Sequence, residues 1–91
     1  QSLALLNNPF VHEQSAALAK RIGTKLEPKE QVIRAWRLAF GRDPRDAEMT
    51  AALAHLEKQS KAFAKRPDPA LDALASLCHV LLNTNEFIYV D

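Results

Sequence analysis

Proline divides this sequence into four segments, each suited to form one helix. Pro9, Pro28, Pro44 and Pro69 each precede a stretch in which apolar residues recur three or four positions apart. Proline is tolerated in the first turn of a helix but not in its interior, so these positions indicate helix starts. No stretch alternates apolar and polar residues for long enough to indicate a strand. The pattern predicts an all-α fold, a small bundle of about four helices arranged as two helical hairpins.

Capping residues and glycines set the expected limits of the first three helices. Asn8 is suited to cap the first helix, which we predict over Pro9–Ile22, and Gly23 follows where a C-terminal cap is expected. The second helix is predicted from residue 28 until the next glycine, at position 41. Asp43 is the expected cap of the third helix, because an aspartate before a proline repeats the start signal of the first one.

The fourth helix is predicted to begin near Pro69 and to end at the polar run Asn83-Thr84-Asn85-Glu86. Asparagine tolerates the left-handed backbone angles that close a helix. The aromatic-rich run at residues 87–90 would then form a short extended tail that packs on the bundle, since such residues are rarely left in water. Five residues of this end are expected to form a structural clasp: Asn83, Asn85, Glu86, Phe87 and Tyr89.

The apolar positions of the four segments predict one hydrophobic core. Hydrophobic residues make up 47% of the 91 residues and charged residues 25%, as is typical of a globular domain. We therefore expect residues 1–91 to form a single helical domain, present as a monomer or a weak dimer. The residues expected in the core are Phe10, Trp36, Phe40, Leu53, Phe63, Leu77, Cys78 and Leu81.

Composition argues against several functional classes. Gly23 and Gly41 are the only glycines, too few for a glycine-rich phosphate loop. Twelve basic residues face eleven acidic ones, and the net charge of +1 provides no general attraction for nucleic acid or anionic lipid. No apolar run approaches the length of a membrane span. We expect no nucleic-acid binding and no membrane insertion.

Cys78 and His79 are the residues that come nearest to a cofactor-binding motif, that of covalently attached haem. They close the run Ala75-Ser76-Leu77-Cys78-His79, in which covalent c-type haem attachment would need a second cysteine at position 75. A small thiol among leucines is better explained as a core residue. His12 and His55 show no paired spacing that indicates a metal site. We expect no cofactor and no metal.

No catalytic arrangement is visible in the sequence. No strand-turn-helix motif surrounds a serine, and Ser76 lies within a helical segment. Asp43 and Asp46 are better explained as residues of a helix start than as an acid and a base. Arg37 and Arg42 stand near a turn between two helices, as in a helix-turn-helix, but acidic residues interrupt that basic patch. We expect no enzymatic activity that resides wholly in these residues.

Three segments, taken in order, carry a resemblance to a known family. They are Leu3-Ala-Leu-Leu-Asn-Asn-Pro-Phe-Val11, then Ala35-Trp-Arg-Leu-Ala-Phe-Gly-Arg42 with Pro44 after it, and finally residues 77–91. In this order, the segments resemble the C-terminal part of a planctomycete-type domain of unknown function. That domain is found in very large bacterial proteins that often also carry a planctomycete cytochrome-c-type domain. The closing segment is the most specific of the three.

The resemblance implies context rather than chemistry, because the family's activity is unknown. It implies a C-terminal fragment of a larger protein that is exported or faces the cell envelope. Our leading hypothesis is a non-catalytic structural or interaction module whose partner is the upstream domain of the parent protein. The alternative is the tail of an enzyme or redox protein, supplying part of a pocket built mainly by upstream residues.

Overall fold

The described helices each begin at a proline or within two residues of one, and the first two end just before a glycine. A computed structural model describes the backbone of residues 9–90 and the side chains of residues 9–84. Its helices are α1 (Pro9–Ile22), α2 (Pro28–Phe40), α3 (Asp46–Ala62) and α4 (Pro69–Val90). No strand occurs in this part of the chain, and the predicted all-α bundle is confirmed.

Glycine closes α1 and α2 by adopting left-handed backbone angles. Gly23 has φ 84° and Gly41 has φ 72°, a region that residues with a Cβ rarely occupy. The N–H of Gly23 donates to the carbonyl of Ala19, and that of Gly41 to the carbonyl of Arg37, each at 2.9 Å. These bonds satisfy carbonyls that a helix end otherwise leaves without a partner.

The start of α3 is secured by Glu48 rather than by Asp43. The N-cap residue is Arg45, whose backbone N–H donates to Oε1 of Glu48 at 2.8 Å. The carboxylate of Asp43 accepts hydrogen bonds from Arg37 instead. The predicted cap at Asp43 is therefore wrong, because the chain becomes helical only from Asp46 onward.

Helix α4 passes through the polar run that the sequence indicates as its end. It continues to Val90, so the prediction of a stop at Asn83 followed by an extended tail is wrong. Thr84 Oγ1 donates to the carbonyl of Val80 at 3.0 Å. Nδ2 of Asn83 lies 3.3 Å from Nδ1 of His79. A carbonyl oxygen has two lone pairs, so Val80 can accept the Thr84 hydroxyl and still accept the backbone N–H that continues the helix.

Of the five residues of the predicted clasp, the structure describes the side chain of one. Asn83 is buried, with 8% of its surface exposed. The side chains of Asn85, Glu86, Phe87 and Tyr89 lie outside the described residues, although their backbone is helical. The clasp stays a prediction. In a helix, the side chains that share a face are three or four positions apart rather than two.

Helix α4 is the element around which the other helices pack. It contacts all three of them, most extensively α1 and α3. Its sequence is the most apolar of the four, and a helix of that kind must be covered on several sides. Among its described side chains, the apolar residues that it buries are Ala73, Leu74, Leu77, Cys78 and Leu81.

Most of the residues expected in the core lie in or against it. Trp36, Leu77, Cys78 and Leu81 are buried. Phe40 and Leu53 are half-buried and pack against that core, and Phe63 is half-buried just after the end of α3. The helices thus bring together apolar residues that are far apart in sequence.

Phe10 is the exception, since 63% of its surface is exposed. Helix α1 buries a single stripe, made of Val11, Ser15, Ala19 and Ile22. Neighbouring residues of a helix point about 100° apart, so Phe10 lies beside that stripe rather than on it. The prediction of Phe10 as a core residue is wrong because the helical phase of α1 is set by Val11.

Replacing Leu74 tests whether burial around α4 holds the bundle together. Leu74 is fully buried, whereas Leu38 is 44% exposed on α2. We expect Leu74→Ala to lower the free energy of unfolding by about 2–5 kcal/mol, and Leu38→Ala to change it by less than about 0.5 kcal/mol. Urea denaturation followed by circular dichroism measures both. Equal losses for the two variants would contradict the central role of α4.

Candidate functional site: an apolar cleft beside His55

A cleft of about 330 Å³ opens between α2, α3 and α4. Trp36 and Phe40 of α2 form one wall, with their ring centroids 5.9 Å apart and their planes tilted by 54°. This volume lies at the lower end of the range for small-ligand pockets. The other larger side chains that line the cleft are Glu48, His55, Leu77, Val80, Leu81 and Thr84.

Val80 lies on the open side of this apolar cleft. It is 46% exposed, although the leucines next to it on α4, Leu77 and Leu81, are buried. A single exposed apolar residue is ordinary on a protein surface. An exposed valine beside an apolar cavity with an aromatic wall is more typical of a surface that receives another apolar group. The cleft is suited to such a group.

Trp36 brings a buried donor to the wall of the cleft. Its indole Nε1 is buried and has no hydrogen-bond acceptor among the described residues. A buried N–H without a partner costs about 1–3 kcal/mol, and buried tryptophans usually have one. The aromatic wall therefore carries a polar N–H group without a described acceptor, whereas the leucines on the opposite wall have no polar side-chain atom.

His55 and Ser76 join α3 to α4 at the edge of the cleft. Nε2 of His55 lies 3.0 Å from Oγ of Ser76. Burial, and to a smaller extent the charge of Lys58, lower the pKa of His55, which favours the neutral imidazole. In the tautomer that carries its proton on Nδ1, the serine hydroxyl donates to the histidine. A histidine and a serine in this contact are the minimum for a nucleophilic serine.

The described residues around this pair do not supply the rest of a nucleophilic site. Within residues 9–84, no carboxylate bonds to His55 to orient its ring. Ser76 lies inside α4, where the backbone N–H groups serve the helix and do not form an oxyanion hole. The contact is best explained as a hydrogen bond that fixes α3 against α4.

Cys78 is enclosed in the core, with no exposed surface. Burial raises the pKa of its thiol to about 12. The thiolate is the form that attacks electrophiles and binds metals, and it is scarce at neutral pH when the pKa is this high. Cys78 therefore contributes packing between its leucine neighbours rather than reactivity.

His12 and His79 stack on each other between α1 and α4. Their ring centroids are 4.4 Å apart and their planes differ by 26°. A metal must lie close to the plane of each imidazole that binds it, and nearly parallel stacked rings do not converge on one ion. Nor do the described residues contain a group of three histidine, cysteine or carboxylate side chains placed to hold a metal. The stack is a packing contact between the two helices.

Charged side chains brace the turn between α2 and α3. Both Nη atoms of Arg42 donate to the carboxylate of Glu48, at 2.9 and 3.0 Å. The same guanidinium lies 5.8 Å from the ring centroid of Phe40, within the range of a cation–π contact. Arg37 binds Asp43. Both arginines form ion pairs with carboxylates, so their charges are already compensated and less able to bind the phosphates of a nucleic acid.

Residues 1–56 match the family described as PSD1, protein of unknown function (DUF1553). The chain belongs to this family. The match includes the first two segments of the resemblance, at residues 3–11 and 35–42, together with the turn at Arg42 and Glu48. It ends within α3, before residues 77–91. No curated protein and no solved structure matches the chain.

Membership of PSD1 names no reaction, so the cleft has to be interpreted from its own residues. Among the described residues, no helix combines the length and apolar character needed to cross a bilayer. The cleft was not predicted from the sequence because three segments form it. Val80 is the residue from which the cleft could have been inferred, because it widens the apolar face of α4 beyond what one neighbouring helix can cover. His55 gave no signal of its own.

The contacts of Glu48 generate a prediction about pH. Hydrogen bonds from Arg42, and then from the backbone of Arg45, lower the pKa of Glu48 from 4.5 to about 2. Because its pKa is lower in the folded state, Glu48 stabilises the fold at neutral pH, and this contribution is lost as the pH falls from about 4.5 toward 2. We expect Glu48→Gln to melt below the wild type at pH 7, with the difference vanishing near pH 2.

Thermal melts followed by circular dichroism at several pH values measure this difference. Glu13→Gln is the matched control, since Glu13 is an exposed carboxylate of α1 that makes no described ion pair. The control should melt close to the wild type at pH 7. A difference between Glu48→Gln and the wild type that stays constant down to pH 2 would show that the lost contacts of Glu48 are not electrostatic.

The burial of Cys78 predicts slow thiol chemistry. We expect the native protein to react with a thiol reagent at pH 8 only through opening of the bundle, and at full rate in urea. The matched control is Thr84→Cys in a Cys78→Ala background, because Thr84 is exposed on the same helix. The control should react at once under native conditions. Equally rapid labelling of native Cys78 would contradict its place in the core.

Proposed function

We propose that this domain is a non-catalytic interaction module that docks against the upstream domain of its own protein. In this proposal, an apolar segment of the upstream domain occupies the cleft between α2, α3 and α4. The observation that carries the proposal is the exposed Val80 beside an apolar cavity walled by Trp36 and Phe40. Clefts of this kind anchor single apolar or aromatic side chains at protein interfaces.

The charges around the cleft support an apolar occupant over a polar substrate. Glu48 lines it, but its carboxylate is already bound by Arg42 and by the backbone of Arg45. His55 has a lowered pKa and bonds to Ser76. Neither lining residue offers an unmatched charge that would orient an ionic ligand.

The upstream domain is favoured as the occupant by the family context. The chain resembles the C-terminal part of larger proteins, in which a preceding domain is covalently linked. Such a link raises the effective concentration of a neighbouring domain to about the millimolar range, so one apolar anchor suffices for docking. A separate partner would need a larger interface to bind as well.

The test uses the full-length protein and a charge placed at the rim of the cleft. We expect Val80→Asp to release the docked domain, shown by increased hydrogen exchange around the cleft and in the segment that occupies it. Supplied in trans, the upstream domain should bind the variant about 10- to 100-fold more weakly. Leu38→Asp is the matched control, because Leu38 is equally exposed and does not line the cleft.

Two outcomes would reject the docking proposal. One is that Val80→Asp and Leu38→Asp weaken binding equally, so that the cleft has no special part. The other is that the wild-type domains show no mutual protection from exchange at all. Thermal melts of the isolated variants check that both stay folded. We expect this because both substitutions change exposed positions.

The alternative function, a contribution to an upstream active site, draws on the contact between His55 and Ser76. If Ser76 acts as a nucleophile in the full-length protein, a fluorophosphonate probe should label it, and Ser76→Ala should abolish that label while the protein stays folded. The interaction module predicts no label at Ser76. Loss of stability alone in Ser76→Ala favours the module, and loss of turnover in a folded protein favours the active site.

A further inference from the structure

A second cleft, of about 440 Å³, lies where the loop between α1 and α2 approaches the start of α4. Three cations line it: Lys20 near the end of α1, Lys25 in the loop and Arg34 on α2. It shares no lining residue with the apolar cleft, so it is a separate surface. The apolar side chains that line it are Ile22, Leu26 and Leu71.

The charges of this basic cleft are unbalanced. None of its three cations takes part in an ion pair within the described part of the chain. The ion pairs seen there use basic residues from elsewhere, namely Arg37, Arg42, Lys61 and Arg66. Asp68 is the one acidic residue among those lining the cleft, and its Oδ1 accepts the backbone N–H of Leu71 at 3.2 Å. With three cations and one anion in its lining, this concave surface has an excess of positive charge and attracts negative charge.

The loop that carries Lys25 is held in place from inside the bundle. Gln31 is 8% exposed, and its Nε2 donates to the carbonyl of Leu26 at 3.2 Å and to that of Gly23 at 3.4 Å. These bonds tie both ends of the loop to α2. The cleft is therefore formed before any ligand arrives, which lowers the ordering cost of binding.

We propose that the basic cleft binds an acidic peptide segment of a partner protein. Lys20, Lys25 and Arg34 bind its carboxylates, and the apolar lining receives an aliphatic side chain between them. An open cleft with both features fits a chain segment better than a single small anion. An extended polyanion such as nucleic acid is disfavoured, because it requires a continuous row of uncompensated cations. This proposal does not depend on docking at the apolar cleft.

Fluorescence anisotropy with a short labelled peptide of glutamates flanking one leucine tests the proposal. We expect it to bind the wild-type protein, to bind more weakly as salt is raised, and to bind at least about tenfold tighter than the same peptide with glutamines. Arg34→Glu and Lys25→Glu should each weaken binding about five- to tenfold. Lys58→Glu is the matched control, since it makes the same charge change on α3, outside the cleft.

Three results would overturn the proposal. The glutamate and glutamine peptides could bind equally, or Lys58→Glu could weaken binding as much as Arg34→Glu. The third is that inorganic phosphate binds at the cleft, detected by chemical shifts at Arg34, while the glutamate peptide does not bind. Melts of the charge variants show whether each one is folded, and replacing Arg34 by glutamine gives a milder change of the same contact.

Discussion

Burial of the apolar face of α4 is the constraint on which the rest of this structure depends. Leu74 and Cys78 have no exposed surface, and they are covered only because the other three helices close on α4. The covering helices are amphipathic, with one buried stripe each, and none has enough apolar surface to form a core alone. Both clefts exist at the edges of this packing, where the covering is incomplete.

The helix starts and the glycine ends were predictable from sequence because they depend on local chemistry. Pro28 and Gly41 act within a few residues of themselves, so their effects can be interpreted without knowing the rest of the fold. The end of α4 was not predictable in this way. Asn83 is of a residue type that often closes a helix, and here its side chain lies 3.3 Å from His79, one turn back, while the helix continues.

The candidate sites were less predictable than the fold, because each joins segments distant in sequence. Trp36 and Leu77 were recognisable as apolar residues, yet only the crossing of α2 over α4 determines that they border a cleft. In the basic cleft, Lys20 and Arg34 belong to different helices, and only the folded arrangement shows that neither has an acidic partner among the described residues. Net charge conceals such a local imbalance, since the +1 total averages over the whole chain.

The residues that match the family end before α4 begins. Residues 1–56 contain α1, α2 and the first part of α3, but not α4. Val32 and Trp36 belong to the matched part, and their buried surfaces share one core with residues of α4. The matched residues therefore do not form a complete core alone, and their apolar stripes need a central helix to cover them. Within this chain α4 meets that need, so the core of the bundle extends beyond the residues that match the family.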